Sequence, residues 1–272
     1  MLRLQTEHSL FLIGAVLDQT ACGVLAFTLE ETIEIEYLMV SDAFLQRGTA
    51  NAMLTFLCTY AAPELIPVYC TFAAEDKTDP LYLFFAERED FTVEELEGAR
   101  MAVTRRQIEE ADQLKVIDCQ GIAVVSFFDR PNRIQKAFLM ELARQGIYYL
   151  EDDTVFQESV KPLCLTIGSG EKLKAAVFIG RGENEQEWTL SFAWCAPGCS
   201  RALIRLFAVL RRELLKEMPA DGELIVDGVE PTSCAIIQKL FPNAAHRANY
   251  FEAVWDMDAV EKGVYETEND RT

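Results

Sequence analysis

The chain has 272 residues, half of them hydrophobic, and a net charge of −19, so it has room for one large domain or two modest ones. The acidic charge argues against a nucleic-acid partner and favours cationic partners such as amines, polyamines or basic peptides, unless it serves solubility alone. No apolar run approaches the roughly 20 residues that span a bilayer, and the opening segment is not typical of a signal peptide. We therefore expect a cytoplasmic protein with no membrane partner.

The first half of the chain is predicted to begin with a meander of three antiparallel strands, with a turn at Asp18-Gln19-Thr20. Apolar residues at helical spacing follow Gly48, and Asp79 with Pro80 marks the start of a short helix. The predicted elements are the strands SLFLIGAVLD, CGVLAFTLE and TIEIEYLMV, the helix TANAMLTFLCTYA, the strand PVYCTFAA, the helix DPLYLFFAERED, and two strands, FTVEE and ARMAVTRRQI.

A domain boundary is predicted in the segment IEEADQLK, residues 108 to 115, because it is charged and shows no pattern of burial. The predicted domains are residues 1–110 and 111–260, followed by a polar, frayed tail at 261–272. The elements predicted after the boundary are strands in VIDCQGIAVVSFFD, the helix RPNRIQKAFLMELARQG, a hairpin around Ser169-Gly170-Glu171, the strand EWTLSFAWC, the helix SRALIRLFAVLRRELLKEM, the strand ELIVDGVE, the helix TSCAIIQKLF and the strand ANYFEAVWDM.

The two halves share this order of elements, although they share little residue identity. Each has a hairpin, a strand, a long helix, a strand, a short helix and closing strands. Antiparallel strands followed by a β-α-β-α-β run predict a mixed, mostly antiparallel sheet flanked by helices in each half. The fold class is therefore predicted to be α/β (α+β).

Metal binding is not indicated by the cysteines and histidines. Eight cysteines are scattered through mostly apolar runs, and the only histidines are His8 and His246. Cys195 and Cys199 are the closest pair, but Pro197 lies between them and disfavours a shared helical face. We expect no metal site, and we expect buried free thiols in a reducing compartment.

The stretch IEIEYLMVSDAFLQRGTANAML resembles the acetyl-CoA-binding motif of the GNAT superfamily of N-acetyltransferases. In that family a strand ending in Leu-x-Val leads through about eight residues to a small-residue turn and a long helix. Here Leu38-Met39-Val40 ends the strand, Gly48 follows Val40 by eight residues, and Ala50 takes the second small position. The resemblance covers about residues 9–107 in element order, extends more loosely over 116–256, and implies two tandem GNAT-like domains.

The resemblance implies acetyl-CoA as cosubstrate, with its pyrophosphate at a helix N-terminus and its pantetheine amides on the strand backbone. The family's Gln or Arg three residues before the first glycine is Leu45 here, and Gln46 or Arg47 would have to compensate. The alternative is that Gly48 only provides a tight turn before the helix and that no phosphate binds there. The residues implied to bind the cosubstrate are Leu38, Met39, Val40, Gln46, Arg47, Gly48, Thr49, Ala50 and Asn51.

The resemblance to the GNAT superfamily also implies catalytic residues. Several family members use a strand glutamate matching Glu34 as the base, and strand alternation predicts that Glu34 and Glu36 share one face with Leu38 and Val40. The alternative is that one or both glutamates are solvent-facing carboxylates on a half-exposed strand, and this is the preferred interpretation of Glu36. The family's tyrosine acid falls at Ala86 here. Tyr82, one helical turn earlier, could replace it, or could simply pack in the core.

The second half is similar to a GNAT domain that has lost cofactor binding. Its loop FAWCAPGCSRALI offers Gly198 and Ser200 as small positions but is several residues shorter, and Ile237 takes the tyrosine position. The resemblance therefore implies an N-acetyltransferase that moves an acetyl group to a primary amine of a small molecule or peptide, including a cationic one. The alternatives are a non-catalytic protein that binds CoA or a protein partner, and a purely structural tandem.

Overall fold

The computed structural model describes residues 10–117, 123–145, 147, 159–169, 172–182, 184–228 and 231–256. His8, Cys119 and the predicted tail at 261–272 lie outside these ranges, as does the turn at Gly170-Glu171. Contacts between Cα atoms group the chain into two compact units. The first holds the described residues up to Glu97 and those from Ala248, and the second runs from Gly98 to Arg247.

The first unit is a mixed sheet with two helices. Its strand order is β1-β2-β3-β4-β11-β5, and every neighbouring pair with a determined register is antiparallel except β3 with β4, which is parallel. The elements are β1 (Leu10–Leu17), β2 (Thr20–Leu29), β3 (Ile33–Val40), α1 (Thr49–Ala61), β4 (Val68–Ala74), α2 (Pro80–Ala86), the first part of β5 (Phe91–Thr104) and most of β11 (Ala245–Trp255).

Local sequence explains several of these elements. The hairpin between β1 and β2 turns on Asp18 and Gln19, both with positive φ (47° and 65°), as a tight two-residue hairpin requires. The N-terminus of α2 is capped by Asp79, whose Oδ1 accepts a hydrogen bond from the Leu81 backbone N–H at 2.8 Å. Pro80 occupies the first helical position, where its missing N–H is not needed.

One face of the first sheet packs on both helices. From α1 it buries five residues, and from α2 it buries Phe85, whose ring stacks on Phe72 of β4 at 5.2 Å. Phe72 also stacks on Phe251 of β11. The buried residues of α1 are Met53, Leu54, Leu57, Cys58 and Ala61.

The second unit repeats this plan with additional helices, and its counterpart of α1 is longer, with 18 residues instead of 13. Its strand order is β5-β10-β9-β8-β7-β6, with β9 and β10 parallel and the other neighbours antiparallel. Beside the second part of β5 it contains α3 (Arg105–Glu110), α4 (Asp112–Lys115), β6 (Val124–Ser126), α5 (Asn132–Arg144), β7 (Leu165–Ser169), β8 (Lys172–Arg181), β9 (Glu187–Cys195), α6 (Ser200–Glu217), β10 (Glu223–Gly228) and α7 (Pro231–Leu240). The prediction of mixed, mostly antiparallel sheets with flanking helices is confirmed.

The prediction of two strands, FTVEE and ARMAVTRRQI, is wrong. The structure has one strand of 14 residues, β5, and the helix α3 begins at Arg105. Thr104 and Gln107 form a capping box, in which each side chain bonds the backbone N–H of the other residue. This reciprocal cap ends the strand at Thr104.

The segment 108–115 was also misinterpreted, because it does have a pattern of burial. Ile108, Ala111 and Leu114 are buried, each three residues after the last, and α3 and α4 both contact α6. A spacing of three places these side chains on one side of consecutive helical turns. The boundaries predicted after residues 110 and 260 stay predictions.

Candidate functional site

Strand β3 carries a β-bulge in its middle. Ala26 of β2 lies opposite Tyr37, and the next residue, Phe27, lies opposite Ile35, so Glu36 is an extra residue in β3. A bulge bends its own strand and increases the local twist. It therefore changes the direction of β3 just before the strand ends.

Beyond the first two residues, β3 parts from its parallel neighbour β4. Within these two strands, which the structure describes in full, the paired residues are Ile33 with Val68 and Glu34 with Tyr69. The other edge of β4 stays paired with β11 up to Ala74. A wedge therefore opens between the C-terminal parts of β3 and β4, and we call it the β3–β4 gap.

Backbone groups of β3 point into the β3–β4 gap. The N–H of Ser41 donates to the Cys22 carbonyl of β2 at 2.9 Å, and successive residues of a strand direct their backbone groups to opposite edges. The N–H and C=O groups of Leu38 and Val40 therefore face the gap, whereas those of Met39 face β2. An extended amide-containing ligand could pair with Leu38 and Val40 as an added strand does.

The gap leads to the start of α1, where backbone N–H groups are free of helical partners. The first hydrogen bond of the helix runs from the Ala52 N–H to the Gly48 carbonyl at 2.9 Å, so the N–H groups of Thr49, Ala50 and Asn51 have no acceptor within the helix. Gly48 has a φ of 79° and no side chain to cap them. Uncapped N–H groups and the helix dipole suit an anion.

The loop before α1 is exposed and strongly turned. Gln46 has a positive φ of 58°, and the Arg47 guanidinium lies over the Phe44 ring at 5.5 Å from its centroid. Leu45, at the position where the family has a polar residue, is 54% exposed. Arg47 therefore remains the cation of this loop, and Gln46 is the polar side chain beside it.

Asn51 is tied to a buried ion pair. Its Oδ1 accepts a hydrogen bond from Arg88 Nη1 at 2.8 Å, while Arg88 Nε and Nη2 donate to the two carboxylate oxygens of Asp90 at 2.9 and 2.6 Å. Asp90 is only 4% exposed. The pair fixes the first turn of α1 against the start of β5, so the Asn51 side chain holds the helix in position.

Two carboxylates lie together on the sheet face away from the helices. Glu34 Oε2 accepts a hydrogen bond from the Tyr69 hydroxyl of β4 at 3.2 Å, and Glu36 Oε1 accepts one from the Thr28 hydroxyl of β2 at 3.2 Å. Glu34 is half-buried and Glu36 is exposed. Glu34 thus lies at the closed end of the β3–β4 gap.

The predicted shared face of Glu34, Glu36, Leu38 and Val40 is partly wrong. Leu38 and Val40 pack with the helix-side core, together with Ile35, whereas the two carboxylates bond to groups on the other face. Ile35 and Leu38 are three residues apart and would lie on opposite faces of a regular strand. The bulge at Glu36 inserts one residue and reverses the alternation beyond it.

Burial and the two carboxylate charges shift the pKa values of groups near this face. Partial loss of hydration around its carboxyl group raises the pKa of Glu36, and the Glu34 charge adds to that effect. Burial raises the pKa of the Cys70 thiol to about 12, with further contributions from Glu34 and Glu36. Burial is also the main cause of the raised pKa of Tyr69. Cys70 is therefore an inert thiol, and the acidic chemistry of this face belongs to the two glutamates.

Tyr82 lies on α2 and packs on the helix-side core. Its ring meets Phe251 edge-on at a centroid distance of 4.9 Å, and the residue is half-buried. Ala86, the position of the family's tyrosine, is the exposed last residue of the same helix. The phenol of Tyr82 lies on the face to which Val40 turns its side chain, opposite to the Glu34 face.

Solved structures similar to this chain include GNAT proteins. A tandem GNAT protein from the clavulanic acid biosynthesis pathway, solved without acetyl-CoA, matches with 12% identity and a TM-score of 0.56 over 89% of this chain and 81% of that one. A glucosamine N-acetyltransferase region of a fungal multi-domain β-N-acetylglucosaminidase matches with 11% identity and a TM-score of 0.55 over 87% of this chain and 32% of that one. The chain has the tandem GNAT fold.

A conserved protein of unknown function from Bacteroides thetaiotaomicron has the same fold, with 12% identity and a TM-score of 0.54 over 90% of this chain and 86% of that one. No protein-family model matches the sequence, and no curated protein matches it either. At this level of identity the likeness establishes the fold.

The second GNAT-fold unit repeats the bulge, the parting strands and the glycine. Ser191 is an extra residue in β9, and β9 pairs in parallel with β10 over three residues from Glu187. Gly198 has a φ of 74° just before α6. However, four residues connect β9 to α6, compared with eight between β3 and α1. The shorter loop agrees with the sequence comparison.

Apolar side chains fill the space beside the parting strands of the second unit. Leu190 and Val226 follow the last paired residues of β9 and β10, and they line a cavity of about 30 Å³ with Phe207 and Ile237. Small-molecule sites usually measure roughly 300–1,000 Å³. The loss of cofactor binding in this half stays a prediction.

Sequence reasoning missed three residues of the first site. Tyr69 was seen only as part of a strand, and its contact with Glu34 depends on the register of two parallel strands. Arg88 and Thr28 had no motif to mark them. A polar residue in an apolar strand, as Tyr69 is in PVYCTFAA, was the available indication.

Among the residues that the structure describes, no cluster of three His, Cys, Asp or Glu side chains could hold a metal ion. None of the described helices is both long and apolar enough to cross a membrane.

Proposed function

We propose that the chain is an acetyl-CoA-dependent N-acetyltransferase whose active site lies in the first unit. The observation that carries the proposal is the β3–β4 gap, in which the Leu38 and Val40 backbone groups lead to the uncapped N-terminus of α1. A plain turn before a helix does not need a bulged strand that parts from its neighbour. An elongated anionic ligand uses both features.

The residues beside the β3–β4 gap carry the chemical groups that binding of acetyl-CoA requires. The N–H groups of Thr49, Ala50 and Asn51, with the side chains of Arg47 and Gln46, would hold the pyrophosphate. Gly48 gives the backbone its left-handed turn without a side chain in the way. Leu38 and Val40 would pair with the pantetheine amides, while Met39 would keep the strand paired with β2.

Glu34 would take the extra proton of the cationic acceptor amine, directly or through water, so that the neutral nitrogen can bond to the acetyl carbon. The proton that the nitrogen loses as the amide forms would replace the one that Tyr82 gives to the leaving thiolate. Tyr69 would orient Glu34 through the hydrogen bond from its hydroxyl. The N–H of Val40 would stabilise the negative charge that develops on the thioester oxygen. As the carbon–sulfur bond breaks, Tyr82 would donate its phenolic proton to the leaving thiolate.

The acceptor would be a primary amine, of a small molecule or a peptide, that is cationic outside the site. The Glu34 and Glu36 carboxylates lie on the open face next to the gap, and the chain has a net charge of −19. Both would attract a protonated amine and raise its local concentration.

The first test is calorimetric titration of acetyl-CoA into the wild-type protein and into Arg47→Glu and Gly48→Trp. We expect both substitutions to abolish binding. The matched control is Gly198→Trp, because Gly198 has a similar positive φ and open surroundings in the second unit; it should bind like the wild type. Absence of wild-type binding at millimolar acetyl-CoA would refute the proposal.

An amine screen with Glu34→Gln and Tyr82→Phe tests the chemistry. Loss of transfer with retained acetyl-CoA binding would support the two assigned roles, since removing a general base or acid typically lowers the rate about 10²–10⁴-fold. Binding of acetyl-CoA without transfer to any amine would instead favour a non-catalytic acetyl-CoA-binding protein.

A further inference from the structure

Strand β1 lies at the outer edge of the first sheet. The strand order places β2 on one side of it and no described strand on the other. All eight of its residues pair with β2, so its other edge offers a row of backbone N–H and C=O groups along about 26 Å, at roughly 3.3 Å per residue. Such an edge can accept another strand.

The β1 edge has few of the usual protections against strand addition, although its pairing with β2 shifts register between Ala15 and Val16. Its sequence, LFLIGAVL, contains no charged residue and no proline, although a quarter of the chain is charged. Natural sheets normally guard an edge with lysine, proline, a bulge or a short strand. Large apolar side chains are exposed along it, namely Phe11, Leu12, Val16 and Leu17.

Helix α1 extends this apolar surface. Phe56 and Tyr60 of α1 are 61% and 59% exposed. At 100° per residue they lie about 140° and 180° around the helix from Asn51. Asn51 bonds to Arg88, which precedes the inner strand β5, so the opposite flank of α1 is directed toward the outer strands. The helix contacts β1, and Phe56 and Tyr60 therefore lie above the β1 edge.

We propose that this surface, the β1 edge with Phe56 and Tyr60, is where a second copy of the chain binds. Two β1 strands would pair antiparallel about a two-fold axis, which matches every donor of one copy with an acceptor of the other. The α1 aromatic side chains would cover the strand pair from one side.

A second copy suits this surface better than an unrelated partner because of charge. Two molecules that each carry a net charge of −19 repel one another, and a strand without charges is where they approach with least repulsion. A basic partner would instead be expected to bind an acidic patch, and this surface has none among its named residues.

The exposed area is consistent with a stable dimer. At roughly 200 Å² per aromatic side chain, the exposed fractions of Phe11, Phe56 and Tyr60 give about 300 Å² of aromatic surface per copy. A stable interface needs about 800 Å² per partner. The aliphatic side chains and backbone of the eight-residue strand would supply the remainder.

The test is sedimentation velocity of the full chain over a range of concentrations, for the wild type, Val16→Glu and Phe56→Glu. We expect a wild-type dimer whose dissociation constant rises about a hundredfold in each variant, because two-fold symmetry places each new carboxylate in the interface twice. The matched control is Met140→Glu, a 58% exposed apolar residue of α5, which should leave the dimer unchanged.

Cysteine cross-linking tests the register separately from stability. A cysteine at Gly14 would have its Cβ in open space, and we expect Leu12→Cys, Gly14→Cys or Val16→Cys to form a covalent dimer on mild oxidation when its position lies near the two-fold axis. A wild type that is monomeric up to about 100 μM would overturn the proposal. So would a dimer that all three glutamate variants weaken equally, or a cysteine series with no more cross-linking than the wild type.

Discussion

The left-handed glycine before α1 gives a stability prediction whose sign follows from backbone geometry. Gly48 has a φ of 79°, and a Cβ added there would meet no atom within 4 Å. Gly48→Ala therefore causes no steric clash. Its effect is the backbone penalty of a left-handed L-residue, about 1–2 kcal/mol, less about 0.4–1 kcal/mol for the entropy that alanine removes from the unfolded chain. We expect the free energy of unfolding to fall by about 1 kcal/mol, equivalent to roughly 2–4 °C in Tm.

Two other glycines provide the matched controls. Gly14 also has open space around an added Cβ, but its φ is not in the left-handed range, so Gly14→Ala should be neutral or stabilising by up to about 1 kcal/mol. Gly198, with a φ of 74° and the same open space, should respond as Gly48 does. Urea unfolding of the three alanine variants measures the differences. Equal effects at Gly48 and Gly14 would refute the assigned left-handed conformation.

Three further substitutions or treatments test the surroundings of the site. Arg88→Ala should lower the free energy of unfolding by about 3–5 kcal/mol, because it removes the guanidinium that pairs with the buried Asp90 carboxylate. Urea unfolding measures this. Glu36→Gln should stabilise the fold at pH 7 by less than about 1 kcal/mol and give no gain below pH 4. A carboxyl group with a raised pKa in the folded state destabilises the fold once the pH is high enough to ionise it, and glutamine does not ionise. Thermal unfolding at several pH values measures this. Cys70 has a pKa of about 12, so only about one Cys70 thiol in 10⁴ is ionised at pH 8. We therefore expect it to resist alkylation by iodoacetamide until urea unfolds the protein. Mass spectrometry of the alkylated peptides measures this.

Two of these three tests have a control residue within the chain, and the third has a control in pH. Arg106 forms an ion pair with Glu110 in which both side chains are mostly exposed, so Arg106→Ala should have far less effect than Arg88→Ala. Cys199 is partly exposed and should be alkylated in the folded protein. A gain from Glu36→Gln that persists unchanged at pH 4 would contradict the assignment of that gain to ionisation.

Local patterns were sufficient for elements whose ends are set by nearby residues. The start of α2 follows from Asp79 and Pro80 at adjacent positions, and α1 follows from its apolar spacing after Gly48. The same rules failed at α3, where the capping box of Thr104 and Gln107 was present in the sequence but was assigned to a strand. The error was a missed local pattern, which the fold did not create.

Outside the segment from Phe91 to Lys115, the sequence by itself determined the order of the main strands and helices, the repeat of that order, and the small-residue turn at Gly48 eight residues after Val40. These depend on interactions between residues close in the chain. The tertiary structure decided that β3 parts from β4, that the bulge at Glu36 reverses the faces of the residues after it, and that Tyr69 bonds to Glu34. Those depend on which residues of separate strands lie opposite one another, and one inserted residue changes every pairing beyond it.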